Sequence, residues 1–483
     1  MIFTSLGFLA FFVVVFFLHW LFFREKKWWK NWTILVASYV FYGIADWRMI
    51  PLLAVATAIF YWLGIRIRSA ETDKRSNAYK IIGIVLGVGT LVYFKYFNFF
   101  VQSFSDMFSA MGMHVNWHTF NIIIPLGVSY FTFKLISYVI DIYNEEIEPC
   151  KDIVVFADFV AFFPTIMAGP IDRTKAFISQ LQENRKFDRG MAVDGCRQIL
   201  WGLFKKIVIA DNCTIAMNEV FGLSNIPASL YLVGALLAIF QLYADFSGYS
   251  DMAIGLGKLL GVKVAVNFKY PFFATNIADF WRRWHISLTK WMTDYVFTPL
   301  SFSMRKWGKA GLIVAIVVNM LLVGMWHGAN WTYAVFGLFH GLLFIPLILV
   351  GKMNARQDER TIKFGLPHPI SFLKMICIFA LCTCGIIIFN ASSVGEVVGY
   401  FKSMLDVDIW RASYRFLLFP KNYVGFLVVL IVFVEWVQRK REYALDLSGV
   451  KYKWCRWLVY YVVILAIIYF DAMSADQFVY LKF

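Results

Sequence analysis

The feature that most limits this chain is a succession of long apolar runs set off by clusters of basic residues. The first 23 residues carry no charged side chain, and Arg24, Lys26, Lys27 and Lys30 follow at once. Further apolar runs fill residues 34–45, 81–100, 229–255, 311–322, 332–350, 376–389, 423–437 and 458–470. A helix needs about 20 apolar residues to cross a bilayer, and several of these runs reach or approach that length. In hydrocarbon every backbone N–H and C=O must be bonded within the protein, which leaves helices or closed barrels. Continuous runs of this kind do not alternate in the way a barrel strand does. The expected fold is therefore an all-α polytopic membrane protein of about 11–13 membrane segments, re-entrant pieces included. Composition agrees: 16% of residues are charged and 60% are hydrophobic, where soluble domains carry roughly 25% charge.

The basic clusters assign sides. Arg66, Arg68, Lys74 and Arg75 form one, Lys352, Arg356, Arg360 and Lys363 a second, and Arg439, Lys440, Arg441, Lys451 and Lys453 a third. Residues 101–120 contain no Lys or Arg. By the positive-inside rule the clusters face the cytoplasm, residues 101–120 lie outside, and the N-terminus faces outward. The net charge of +15 is then a matter of membrane orientation and of attraction to anionic lipid or an anionic cytosolic donor. No basic stripe suited to nucleic acid stands in a soluble domain. The start of the chain lacks the positive n-region of a secretory signal, so the first run reads as a retained helix. The seven cysteines form no CxxC pair and read as buried small hydrophobes, not as a zinc site or a disulfide framework.

From residue 121 to 221 the pattern loosens. Pro125, Pro164, Gly169 and Pro170 interrupt shorter apolar stretches, and Asp141 and Asp158 lie in or beside them. Interrupted segments at membrane depth survive only inside protein or along a cavity, so a re-entrant, cavity-forming core is expected here. The run 229–255 carries Asp245 and Asp251 among several hydroxyls, which argues for a polar interior. The whole chain, residues 1–483, reads as one membrane domain.

Two stretches carry chemistry. In VGMWHGANW (residues 323–331) His327 sits between two apolar runs. Ionisable groups at bilayer depth are costly, roughly 2.5–3.5 kcal/mol for the worst cases, so His327 is a candidate base. Asn330 and Trp331, at i+3 and i+4, are placed to fix its tautomer or wall its pocket. The second stretch, residues 279–292, puts Trp284, Leu288, Trp291 and Tyr295 on one helix face, with Arg282, Arg283 and Lys290 off that line. This predicts a basic, tryptophan-rich interfacial helix on which Trp281 and His285 are i,i+4 neighbours. Phosphates favour forked guanidinium contacts, which makes Arg282 and Arg283 the expected donor contacts. His340, between Gly337 and Gly341, reads as a packing residue. No GxSxG, Walker or HExxH motif occurs, and the histidines are not on a metal-ligand spacing. The remaining chemistry is base-assisted transfer, in which a neutral imidazole takes a proton from a hydroxyl attacking an activated acyl group.

FWRRWHISL (residues 280–288) together with GMWHGANW (324–331) resembles the membrane-bound O-acyltransferase (MBOAT) family. IIIPLGVSYFTF (122–133), FFPTIMAGPIDR (162–173), DFSGYSDMAIGLGKLLG (245–261) and QFVYLKF (477–483) resemble its bacterial alginate and peptidoglycan O-acetyltransferase branch. The resemblance implies a funnel with a thinned centre, reached by an acyl thioester from the cytoplasm and an acceptor from outside. It places the family's near-invariant histidine at His327 and its second histidine at His285; beside them Arg282 and Arg283, from their phosphate-binding chemistry, and Trp281 and Asn330, as pocket walls, are the expected substrate contacts. Acetyl-CoA is the implied donor, with no bound cofactor or metal. An extracytoplasmic SGNH-type partner and a multi-pass location in the cytoplasmic membrane are implied as well. Two alternatives stand beside this: D-alanyl transfer to teichoic acid from a carrier protein, and transport of an acylated or lipid-linked intermediate.

Overall fold

A computed structural model describes residues 2–22, 26–113, 120, 122–221, 228–355, 361–362, 365–404 and 423–471. Arg24, His114, His118, Arg356, Arg360, Lys363 and the QFVYLKF motif lie outside the described residues. Backbone groups of so apolar a chain have to be bonded locally, and among the described residues regular structure is helical, with a single isolated bridge between Thr361 and Pro367. The fold is all-α and polytopic, as expected. Seven helical runs are long and apolar enough to cross a membrane, and two shorter apolar helices, Leu6–Leu21 and Tyr423–Gln438, accompany them.

The chain divides into two compact units. The first comprises Met1–Cys196 with Ala253–Ala265. It holds α1 (Leu6–Phe17), α2 (Lys27–Asp46), α3 (Ile50–Arg68), α4 (Asp73–Leu91), α5 (Phe97–Ala110), α6 (Val128–Tyr143), α7 (Ile153–Ala161), α8 (Thr174–Gln182) and the start of α9 (Arg189–Leu203). Local chemistry sets the boundaries. Ser5 caps α1 by accepting from Phe8 N–H, and Asp152 caps α7 by accepting from Val154 N–H at 2.9 Å. Asp46 is extended and accepts from Arg48 N–H at 3.1 Å, and Pro51 opens α3, so the chain breaks just past the apolar run 34–45. The expected outer loop at 101–120 is only partly a loop. Phe97, Phe100, Val101, Phe104 and Phe108 recur at helical spacing, and α5 runs on to Ala110.

The interrupted stretch is the interior of this unit. Almost all of α6 and α7 is buried, and Gly64 of α3 leaves the space that the Tyr138 ring occupies: a Cβ there would lie 2.6 Å from it. Residues 162–172 leave the helix yet stay buried, so their polar groups need partners. Phe163 N–H donates to Ser38 Oγ at 3.1 Å, and Asp172 Oδ1 accepts from Ala265 N–H at 2.9 Å. The fully buried Lys134 donates to Phe159 O at 3.0 Å and Thr165 Oγ1 at 3.2 Å. Cysteine burial is a correction. Cys150, Cys213 and Cys382 are buried, but Cys196 and Cys377 are exposed. An apolar side chain in a membrane protein can face lipid instead of the core, so apolar context alone does not predict burial.

The second unit comprises Arg197–Met252 and Val266–Phe483. It contains α10 (Asp211–Phe221), most of α11 (Ala228–Leu259), α12 (Ile277–Trp281), α13 (Ile286–Met292), α14 (Thr298–Ser303), α15 (Gly308–His327) and α16 (Trp331–Leu343). After these come α17 (Ile345–Leu349), α18 (Pro369–Asn390), α19 (Val394–Met404), α20 (Tyr423–Gln438) and α21 (Lys453–Phe470). The polar interior expected of the 229–255 run is present. Lys206 Nζ lies 2.8 Å from Asp211 and 2.9 Å from the fully buried Asp245. Lys205 pairs with Asp251 and donates to Ser247 Oγ at 2.9 Å. Glu435 of α20 accepts from Tyr243 O–H at 2.7 Å.

Candidate active site

The sequence predicts a helix for the 279–292 stretch. The structure breaks it. Asn276 caps α12 by accepting from Asp279 N–H at 2.8 Å, and α12 ends at Trp281. His285 then takes the left-handed conformation, φ 45° and ψ 52°, before α13 begins. For a residue with a side chain that geometry costs of order 1–3 kcal/mol and persists only where the surroundings impose it. They do: Lys269 N–H donates to Arg283 O at 3.0 Å, and Ile286 N–H to Asn267 O at 2.9 Å. The strap 267–269 thus clamps the turn on both sides of His285.

The break revises the reading of its neighbours. Trp281 and His285 do not share a helix face. Trp281 Nε1 donates to His340 Nδ1 at 3.4 Å, with the rings 5.2 Å apart. His340 is buried, its ring 4.6 Å from Phe336. Trp284 lies before the break and Leu288 and Trp291 on α13, and all three are buried in protein, not laid on a bilayer interface. Arg282 is exposed and donates to Met353 O at 3.4 Å and Ala355 O at 3.2 Å. Arg283 pairs with Asp279 at 3.1 Å and donates to Lys269 O at 3.3 Å. Both guanidinium groups therefore brace this turn and its surroundings.

The 323–331 stretch is the tip of a helical hairpin. α15 runs out to His327 and α16 returns; Gly324 and Gly337 bring the two so close that a Cβ on Gly324 would overlap the Tyr333 carbonyl. At the other end Lys309 Nζ donates to Leu349 O at 2.8 Å. Because the helix stops at His327, the i+3 and i+4 relation to Asn330 and Trp331 is lost. Asn330 caps α16, accepting from Thr332 N–H at 3.0 Å and donating to Ser392 O at 2.9 Å. Trp331 is 56% exposed.

Aromatic rings surround both histidines. His327 is buried, with its ring 5.1 Å from Trp326, 5.1 Å from Phe389 and 6.3 Å from Phe336. His285 is buried 4.7 Å from Phe246 and 5.6 Å from Trp326. The two imidazoles stand 6.4 Å apart, centroid to centroid. The sequence named both histidines but missed Trp326, Phe389, Phe336 and Asn267, whose only signal is a buried polar residue ahead of Pro271. Among the described residues no group of His, Cys, Asp and Glu is arranged to hold a metal ion.

Two buried imidazoles stand in an aromatic enclosure within an all-α polytopic membrane protein, an arrangement that can support proton-assisted group transfer. Residues 151–389 match the MBOAT, membrane-bound O-acyltransferase family, and that span includes both histidines and reaches Phe389. The chain is 36% identical over 416 residues to the probable alginate O-acetylase AlgI of Pseudomonas aeruginosa, covering 86% of this chain and 76% of that protein. It is 29% identical over 410 residues to the peptidoglycan O-acetyltransferase of Helicobacter pylori, covering 78% and 74%. It is also 34% identical over 249 residues to the teichoic acid D-alanyltransferase of Bacillus subtilis, covering 49% and 62%. The chain belongs to the membrane-bound O-acyltransferase family, and is a multi-pass membrane acyltransferase.

Proposed function

We propose that this enzyme takes an acetyl group from acetyl-CoA on the cytoplasmic side and passes it to an extracytoplasmic polysaccharide pathway of the alginate or peptidoglycan type. The observation that carries the reading is the buried imidazole pair 6.4 Å apart, close enough for one bound acyl group to be reached by both. His327 takes the proton of the attacking hydroxyl as its oxygen bonds to the acyl carbon. The carbon–sulfur bond breaks, and the proton passes from the imidazolium to the departing thiolate. His285 holds and polarises the reacting groups. An SGNH-type partner receives or relays the acetyl group outside, the protein resides in the cytoplasmic membrane, and residues 1–483 act as one domain. D-alanyl transfer is the second reading; its support is the Bacillus subtilis relative, which covers a smaller share of the chain. The test is purified protein in detergent with either donor: thiol release from acetyl-CoA supports the reading, and activity with only a D-alanyl carrier protein replaces it.

Two further expectations follow from the same reading. Arg282 keeps donor capacity beyond its two carbonyl contacts, since a guanidinium offers five N–H groups. Arg282→Ala raises the KM for acetyl-CoA by about 3–10-fold with kcat nearly unchanged, the size expected of a partly exposed charged hydrogen bond. The defect relative to wild type shrinks with salt, because screening weakens in wild type the attraction that the variant lacks. An unchanged KM and salt response would make Arg282 a brace for residues 353–355 and nothing more. For topology, a cysteine at Ser109 is modified by an impermeant maleimide added outside intact cells, and one at Ala355 is not. The reverse pattern would overturn the N-out orientation.

A further inference from the structure

The imidazole of His285 does not choose its own tautomer. Asn267 is fully buried, and its Oδ1 accepts from Ser287 N–H at 3.2 Å and Ser287 O–H at 2.8 Å and lies 3.2 Å from His285 Nδ1. A backbone N–H can only donate, so the Asn267 atom facing it is the oxygen and the side-chain amide cannot be flipped. Asn267 Nδ2 is correspondingly turned to Ser250 Oγ, 3.4 Å away on α11. An oxygen that already faces a fixed donor can meet His285 Nδ1 favourably only if that nitrogen carries the proton. The neutral ring therefore keeps its lone pair on Nε2. The same residue acts on the backbone, because Asn267 O accepts from Ile286 N–H, which follows the left-handed His285 directly.

We propose that Asn267 is the positioning residue of His285: its carbonyl oxygen fixes the ring as the Nδ1–H tautomer, and its backbone holds the strained turn that presents the ring. This rests on the functional reading of His285 given above and extends it to a residue outside both histidine motifs. At metal sites, partners that orient a ligating histidine account for about 10–100-fold of activity, and a loss of that size is expected for an orienting partner here. Asn267→Leu has similar volume and no acceptor, and leaves the backbone bond to Ile286 in place. Asn267→Asp keeps an acceptor oxygen in either protonation state.

The experiment measures kcat and KM for acetyl-CoA turnover, together with thermal unfolding in detergent, on Asn267→Leu, Asn267→Asp, His285→Ala and the double variant Asn267→Leu/His285→Ala. Asn267→Leu is expected to lose about 10–100-fold in kcat with donor KM nearly unchanged, measured below its melting temperature, and Asn267→Asp to recover most of that loss. In the His285→Ala background, adding Asn267→Leu is expected to cost less than about 2-fold, since the group it positions is gone. If His285→Ala is inactive while Asn267→Leu turns over normally, or if the two losses simply multiply, the positioning role is wrong and the reading of His285 stands. If His285→Ala retains wild-type turnover, the functional reading of His285 fails and this proposal with it.

Discussion

Replacing His327 by alanine is expected to cut acyl transfer by about 10²–10⁴-fold, the range a positioned general base supplies. The ring is held by packing: Trp326, Phe389 and Phe336 surround it, and it is the last residue of α15 before the chain leaves the helix at Gly328. Truncation therefore opens a space inside the aromatic enclosure and lowers stability as well, by of order 2–4 kcal/mol if it behaves like other large-to-small core changes. The two effects separate cleanly. A stability loss of that size lowers the melting temperature but leaves most molecules folded when assayed well below it, whereas loss of the base lowers the rate of every folded molecule. Turnover normalised to folded protein is the quantity to compare. A variant that unfolds earlier yet turns over normally when folded would make His327 a packing residue.

The largest stability effect is expected at Lys206. Its ammonium group sits between Asp211 and Asp245, 2.8 and 2.9 Å away, with Asp245 fully buried. Buried ion pairs contribute little net stability when intact, because desolvation offsets their attraction. Removing one partner is different: the remaining carboxylates keep their desolvation cost and lose their principal countercharge. Lys206→Met keeps the stem and removes the charge, and is expected to destabilise by about 3–5 kcal/mol. Adding Asp245→Asn removes one stranded charge and should return part of that loss, so the double variant melts above the single one. Thermal unfolding of the two in the same detergent checks this. A Lys206→Met protein as stable as wild type would mean that the acids find other compensation.

Much of the architecture is legible because length and apolarity act locally. A run without charges becomes a helix in any bilayer-compatible fold, and Asp46 with Pro51 supplies its own stop. The two acids in the 243–251 stretch likewise announce an interior, although their partners Lys205 and Lys206 stand about 40 residues away within an apolar run. The His285 turn is not legible. Between Trp281 and Thr298 the chain has neither Gly nor Pro, so nothing local breaks the helix; the break is imposed by the strap at 267–269. The Asn330 cap is a signal of the opposite kind. Gly328 and Asn330 stand just ahead of an apolar run, a usual helix start, and the motif's histidine drew the reading past them. Trp326, Phe389 and Phe246 converge on the histidines from separate helices, which spacing along one helix cannot show.

The central claim is that His327 moves a proton during transfer from acetyl-CoA. The most direct measurement is thiol release and acetyl transfer by purified wild-type and His327→Gln proteins, with melting temperatures recorded in the same detergent. Glutamine preserves a hydrogen-bonding side chain of similar reach but cannot accept a proton near neutral pH. The account predicts that wild type consumes acetyl-CoA and that His327→Gln is nearly as inactive as His327→Ala while melting close to wild type. A glutamine variant with near-normal turnover would contradict it.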